Sequence, residues 1–246
     1  MRREREPEYV IGRIPVLECL RVGKRRATKL YLLDNGRGLD ELYEAATQRS
    51  VPIEHRSRRD LDQLSDKAAH QGAILEADSM PLLSLGAWLA DRTGGNSVLV
   101  VLDGIEDPRN FGAIVRSACA CAADGVLFAK DRSAPISPTA MKAAAGAMEH
   151  VDLIQVTNLV RALGELKDAG YWAACLEASA EQSIWEADLT GKMALVIGGE
   201  GKGVRRLVRE SCDLQLKIPL SGPITSLNAS VSAAVALYEC LRQRAT

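Results

Sequence analysis

Three short segments carry polar residues at positions where chemistry could be done. The first is Leu102-Asp103-Gly104-Ile105-Glu106-Asp107-Pro108-Arg109-Asn110-Phe111-Gly112. Asp107-Pro108 marks a turn, and Asn110 is placed to cap the helix that follows. Arg116 comes six residues after Asn110, among Ala113, Ile114, Val115 and Ala118. An arginine in such a setting needs a partner, because burying an unpaired charge is costly. Either an interface or a substrate can supply that partner. The second segment is Val196-Ile197-Gly198-Gly199-Glu200-Gly201-Lys202-Gly203. Its glycines make a plain turn, or they let the backbone approach a ligand closely. It is not a P-loop, because Lys202 is followed by Gly203 and not by Ser or Thr. The third is Lys217-Ile218-Pro219-Leu220-Ser221-Gly222-Pro223-Ile224-Thr225-Ser226-Leu227-Asn228. Ser226 there is an N-cap, or it joins Asn228 in holding a ligand at a helix entrance.

Each segment must be positioned by the elements around it. Val98–Leu102 is an unbroken aliphatic run, as expected of a strand buried on both faces. Helices over 112–123, 139–148, 159–169, 204–210 and 226–242 alternate with strands over 125–128, 151–156, 171–176, 194–197 and 214–218. That alternation predicts a mostly parallel sheet covered by helices. All three polar segments then leave the carboxyl ends of strands, where open α/β sheets bind ligands. The glycine-rich loop follows a late strand, whereas a dinucleotide loop follows the first. Ahead of this catalytic unit (98–246) lie a small α/β module (1–76) and a connecting stretch (77–97). That stretch holds a short helix over 82–89 and a break at Thr93-Gly94-Gly95-Asn96-Ser97. The module carries Arg21, Lys24, Arg25, Arg26 and Lys29, then Arg56, Arg58 and Arg59. These clusters are a solvated face or an RNA contact.

Composition narrows the classes. The 246 residues are 47% hydrophobic, enough for a sizeable core. A net charge of -1 excludes coating nucleic acid by bulk charge, and 4% aromatics excludes rows of base-stacking side chains. The start, Met-Arg-Arg-Glu-Arg-Glu-Pro, has no apolar stretch of the secretory kind, and no run is long enough to span a membrane. Six scattered cysteines without a C-x-x-C pair, beside three histidines, predict reduced thiols in the cytoplasm and no metal site.

Taken in order, N-F-G-A-I-V-R-S-A, then L-V-I-G-G-E-G-K-G-V, then I-P-L-S-G-P-I-T-S-L-N-A-S-V-S-A-A-V-A-L-Y-E resemble the three motifs of the SpoU (TrmH) branch of the SPOUT RNA methyltransferases. Gly12 to Leu20, His70-Gln71-Gly72 and Ser133 to Lys142 are similar to the ribosomal-RNA members, so the likeness covers nearly the whole chain. At Ala143-Ala144-Ala145-Gly146-Ala147 it departs from relatives that carry serine or cysteine before the glycine. The resemblance implies a parallel sheet ending in a deep trefoil knot, behind an RNA-binding module of the L30e type. It implies 2′-O-ribose methylation by S-adenosylmethionine, of a guanosine in 23S ribosomal RNA free or within a pre-ribosomal particle. A homodimer joined through the first-motif and closing helices is implied as well. The tRNA enzymes of the branch are the alternative; they carry a C-terminal helical extension, whereas this sequence ends at Thr246. A further alternative is a non-catalytic ribosome-assembly protein that kept the fold. Arg116, Asn110, Glu200, Ser226 and Asn228 are the implied catalytic set. Gly198, Gly199, Gly203, Ile218, Leu220, Ser226 and Leu227 are the implied cofactor set. A ribose hydroxyl is a poor nucleophile, and Arg116 would stabilise its alkoxide beside a phosphate or take its proton. A guanidinium gives up its own proton only at high cost.

Overall fold

The computed structural model describes residues 8–92 and 94–245. The charged start (residues 1–7), Thr93 in the expected break and the final Thr246 lie outside them.

The N-terminal module is β1 (Glu8–Ile11), α1 (Arg13–Val22), β2 (Ala27–Leu33), α2 (Asp40–Gln48), β3 (Ile53–Arg56), α3 (Arg58–Leu64) and β4 (Ala73–Ala77). Its sheet runs β1-β4-β2-β3, with β4 antiparallel to both neighbours and β3 parallel to β2. Val16 and Leu20 of α1 and Leu42 and Ala46 of α2 cover Leu30, Leu32 and Leu75 of the sheet.

The connecting stretch is built into the second unit. Leu83 donates its amide to the Leu153 carbonyl. The helix α4 (Leu85–Ala90) buries Leu85 and Trp88 against the strands that follow.

Those strands and helices are β5 (Ser97–Asp103), α5 (Pro108–Ala120), β6 (Gly125–Ala129), α6 (Pro138–Ala144), β7 (Asp152–Val156), α7 (Leu159–Asp168), β8 (Trp172–Leu176), β9 (Gln182–Ser183), β10 (Lys192–Gly198), α8 (Arg206–Glu210), β11 (Leu214–Lys217) and α9 (Ala229–Arg244). The sheet order is β7-β6-β5-β10-β8-β11-β9, and every pair is parallel. Central β5 is buried along its whole length, as its unbroken apolar run requires.

Helix boundaries correct three expectations. Asp107, not Asn110, caps α5, accepting the Arg109 amide at 2.8 Å, so Asn110 lies inside the first turn. Asn228, not Ser226, caps α9. The helix expected over 139–148 ends early: Ala145 (φ 49) and Gly146 (φ 88) turn left-handed, and a 3-10 turn, Ala147–Glu149, follows. A side chain on Gly146 would press on Glu18 of α1, so the break lets the N-terminal module close down.

That closure also corrects the reading of the first basic cluster. The Arg25 side chain is 2% exposed and pairs with Glu149 at 2.7 Å, with Glu8 at 3.2 Å as a second partner. Burial is the largest single influence and works against its charge, but Glu149, Cys19 and Glu8 together outweigh burial, so its pKa lies above the ordinary arginine value. Lys24 donates to the Val151 carbonyl at 2.7 Å. His150 meets Glu18 at 2.7 Å. Arg21 pairs with Glu41, and Lys29 with Glu54. Four of the five cations are thus spent inside the molecule, two of them clamping one domain to the other. The Arg26 side chain, alone of the five, has no hydrogen bond or ion pair among the described residues.

Candidate active site

The sheet order brings the second and third motifs together. β10 and β11 flank β8, so their carboxyl ends open side by side, and β5 lies on the other flank of β10. The glycines of the second motif are demanded by backbone packing. A Cβ on Gly199 would overlap the Gly104 carbonyl, and one on Gly198 would overlap the backbone of Gly203 and Val204. Their closest neighbour is the protein's own chain, which adds a cause to the expected close approach of a ligand. Gly201 (φ 79) and Gly203 (φ 61) make the turn itself. The loop is anchored at its base. Asp103, fully buried, accepts the Arg205 amide at 2.7 Å and its Nε at 2.6 Å, and the Asp103 carbonyl accepts the Gly199 amide at 2.9 Å.

Three of the expected catalytic residues, one from each motif, form a closed triangle. Asn110 Nδ2 donates to Glu200 Oε1 at 3.0 Å. Asn228 Nδ2 donates to the same oxygen at 2.6 Å and to Asn110 Oδ1 at 3.1 Å. Asn228 Oδ1 meanwhile receives the Ser230 and Val231 amides, so one side chain both caps α9 and closes the triangle. Hydrogen bonds to a carboxylate are the stronger kind, and these join positions 90 and 28 residues apart in sequence.

Beside the triangle lies a cavity of about 620 Å³. All seven expected cofactor residues line it: Gly198, Gly199, Gly203, Ile218, Leu220, Ser226 and Leu227. Glu200 and Asn228 line it too. Ser226 is exposed and makes no side-chain hydrogen bond among the described residues. The wall also includes Leu176, Glu177 and Arg209, which sequence reasoning missed. Glu177 Oε2 and Arg209 Nη1 pair at 3.0 Å across it. The strand between the two motif strands had to contribute, so the carboxyl end of β8 was the usable signal.

Arg116 is absent from the cavity wall. It is exposed on α5, and its side chain has no hydrogen bond or ion pair among the described residues, so the burial expected from its apolar neighbours is corrected. Six residues of helix rotate it away from the face that carries Asn110. No described group of three or more His, Cys, Asp and Glu is arranged to hold a metal. Burial pushes the Cys19 thiol up to about 11 and the Cys240 thiol up to about 12, so neither supplies a thiolate at neutral pH.

A parallel sheet with its ligand cavity at adjoining strand ends, behind a small α/β module, defines a two-domain α/β enzyme. Comparison with known proteins makes that specific. The SpoU rRNA Methylase family matches residues 97–238, and the family described as RNA 2′-O ribose methyltransferase substrate binding matches residues 9–81. A 23S rRNA (guanosine-2′-O-)-methyltransferase RlmB of Pseudomonas putida is 38% identical over 96% of this chain and 97% of its own. An uncharacterized tRNA/rRNA methyltransferase of Mycolicibacterium smegmatis is 43% identical over 99% of this chain and 79% of its own. The structure of an RNA 2′-O ribose methyltransferase superposes with a TM-score of 0.81 at 26% identity, over 98% of this chain and 90% of that one. The fold is also that of the SpoU methyltransferase AviRb from Streptomyces viridochromogenes, solved in complex with AdoMet (TM-score 0.82, 23% identity, 98% of this chain and 91% of that one). The chain belongs to the SpoU rRNA methylase family.

Proposed function

We propose that this chain transfers a methyl group from S-adenosylmethionine to the 2′-hydroxyl of a guanosine in 23S ribosomal RNA. The observation that carries the reading is the Asn110–Glu200–Asn228 triangle standing at the lip of a cavity lined by every expected cofactor residue. The cavity suits the cofactor. Its volume is in the range that encloses ligands of that size. Leu176, Ile197, Ile218, Leu220 and Leu227 give apolar wall for an adenine ring, and Glu177 and Glu200 give acceptors for hydroxyl and ammonium donors. When bound, S-adenosylmethionine supplies a methyl group already activated on a sulfonium, so the protein's task is alignment and charge stabilisation. Glu200, held by two amide donors, keeps one carboxylate oxygen fixed at the mouth. Arg116 stabilises the developing alkoxide and grips the adjoining phosphate.

Arg116 lies outside its own chain's cavity, and a homodimer resolves that placement. The face of α9 bearing Val231 (47% exposed), Tyr238 (55%) and Leu241 (38%) is apolar and uncovered, and α9 packs beside α5. In this proposal that face pairs with a second copy and carries Arg116 to the partner's cavity. The trefoil knot, a cytoplasmic setting, action on a pre-ribosomal particle and division near residues 76 and 97 are retained from the resemblance. No described helix is long and apolar enough to cross a membrane.

The test is methyl transfer from labelled cofactor to purified 23S ribosomal RNA and to bulk tRNA, with the product nucleotide mapped. A 2′-O-methylguanosine in the ribosomal RNA is expected. Transfer to tRNA alone would move the substrate to the alternative, and transfer to neither would refute the enzyme reading.

A further inference from the structure

We propose that a second cavity, at the far end of α1 in the N-terminal module, binds a backbone phosphate of the substrate RNA; this rests on the RNA methyltransferase reading above. The cavity measures about 610 Å³ and is lined by Arg13, Arg58, Asp62, Lys67 and the turn Ala69–Gly72. Its charge is unbalanced toward the cationic. Arg58 and Lys67 are exposed, and neither side chain makes a hydrogen bond or ion pair among the described residues. Arg13 donates to the carbonyls of Gln71 and Arg37, each at 2.8 Å, and these neutral acceptors leave its charge uncompensated. The carboxylate of the wall, Asp62, is engaged by His70 Nε2 at 3.1 Å. His70 Nδ1 accepts the Gly72 amide at 3.0 Å, so Nε2 is the nitrogen that donates to Asp62. Three cations therefore face one occupied carboxylate.

The turn supplies donors as well. The amides of Ala69, His70 and Gln71 have no acceptor among the described residues, and Gln71 (φ 53) and Gly72 (φ 85) bend the chain around the cavity. Successive free amides in such a turn form an anion-binding concavity. Buried His70, fixed on both ring nitrogens, holds the turn in place before any ligand arrives. Apart from His70 the wall contains no aromatic ring, so a base has nothing to stack on, and the chemistry presented is that of phosphate recognition. The contrast with Arg21, Lys24, Arg25 and Lys29 sharpens the assignment. Those cations are bound to carboxylates and carbonyls, whereas Arg58 and Lys67 are available.

The experiment is filter binding of the full chain to a 23S ribosomal RNA fragment it methylates, across a salt series. The double variant Arg58→Ala/Lys67→Ala is expected to bind at least about tenfold more weakly. Its log–log salt slope should be shallower by about 0.7–0.9, the share of one phosphate contact. Cofactor affinity and thermal stability should stay at wild-type values. Arg58→Lys should restore most of the affinity lost on Arg58→Ala, and Arg21→Ala/Lys29→Ala should leave RNA affinity and slope unchanged. An unchanged affinity and slope in the Arg58/Lys67 variant, with a wild type that methylates the RNA, would overturn the cavity assignment alone. A wild type that neither binds nor methylates RNA would overturn the functional reading and this proposal together. Loss of binding to a pre-ribosomal particle with naked RNA binding intact would give the cavity to an acidic protein segment, and that too would overturn it.

Discussion

Asn228→Asp isolates the triangle from the helix it caps. The substitution keeps the cap, since a carboxylate receives the Ser230 and Val231 amides as well as an amide oxygen does. It removes the donor that reaches Glu200 Oε1 at 2.6 Å and Asn110 Oδ1 at 3.1 Å. A lost hydrogen bond to a carboxylate costs about 1.5 kcal/mol at the low end of its range, which suits a partly solvated site. The new carboxylate also faces that of Glu200. Two charges about 4 Å apart repel by about 1 kcal/mol in water and about 4 kcal/mol at a protein surface, and the exposure of Glu200 favours the lower figure. The expected loss is therefore about 2–3 kcal/mol. Asn228→Ala loses a cap of about 1 kcal/mol and the same hydrogen bond, a similar total. The pH dependence separates the two. The facing carboxylates in the folded Asn228→Asp chain bind a shared proton more tightly than the separated ones of the unfolded chain. A folded-state affinity raised in this way gives stability that is present at low pH and lost as pH rises. The Asn228→Asp deficit should shrink from about pH 8 to about pH 5, while the Asn228→Ala deficit stays flat. Urea unfolding and single-turnover methyl transfer over that range measure both. A flat Asn228→Asp deficit, or wild-type stability in either variant, would refute the triangle.

Arg116→Ala should lower turnover by roughly 10²–10⁴ while calorimetry shows unchanged cofactor affinity, and a large loss of affinity would contradict its assignment to the ribose hydroxyl and phosphate rather than to the cofactor. Glu149→Ala leaves buried Arg25 with Glu8 as its one carboxylate, beside the Asp78 carbonyl, and should cost about 3 kcal/mol in denaturant unfolding; Glu149→Gln, which keeps an acceptor for Arg25, should cost less. A shortened chain beginning at Ser79 keeps Leu83, Leu85 and Trp88 on the sheet and should bind cofactor. One beginning at Ser97 loses Trp88, 1% exposed, and should be about 3–5 kcal/mol less stable by the same assay. Activity should persist in EDTA at constant RNA fold, and rescue by one specific divalent ion would contradict a sulfonium chemistry that needs no Lewis acid.

The catalytic sheet was legible because its strands are buried on both faces and read as unbroken apolar runs, as at Val98–Leu102 and Gly125–Phe128. The helix starts were less so. Asn110 and Ser226 stand near true caps and are cap-forming residues, but a neighbour took the role in each case, Asp107 three residues before Asn110 and Asn228 two after Ser226. What decides between adjacent cap formers is where the backbone first turns helical, and that is tertiary information. The helix already starts at Pro108, so Asn110 lies inside its first turn and could not cap it. The short elements β1, α3 and β4 had too few residues for a period to show.

The charges were the least legible feature, and net charge explains why. A chain with 31 basic and 32 acidic residues can pair nearly every cation, so sequence clustering alone does not say which remain for RNA. Arg25 is the extreme case: it stands in the densest basic run, yet is withdrawn from solvent to clamp Glu149 across the domain boundary. Arg58 sits in a shorter run and is left free, because Glu54 takes Arg56 and the turn at His70 takes Asp62. In such a chain the cations left over after pairing mark the nucleic-acid surface better than the ones crowded together in sequence. By that criterion the proposed RNA contact lies at the cavity of Arg58 and Lys67 and not along the Arg21–Lys29 run.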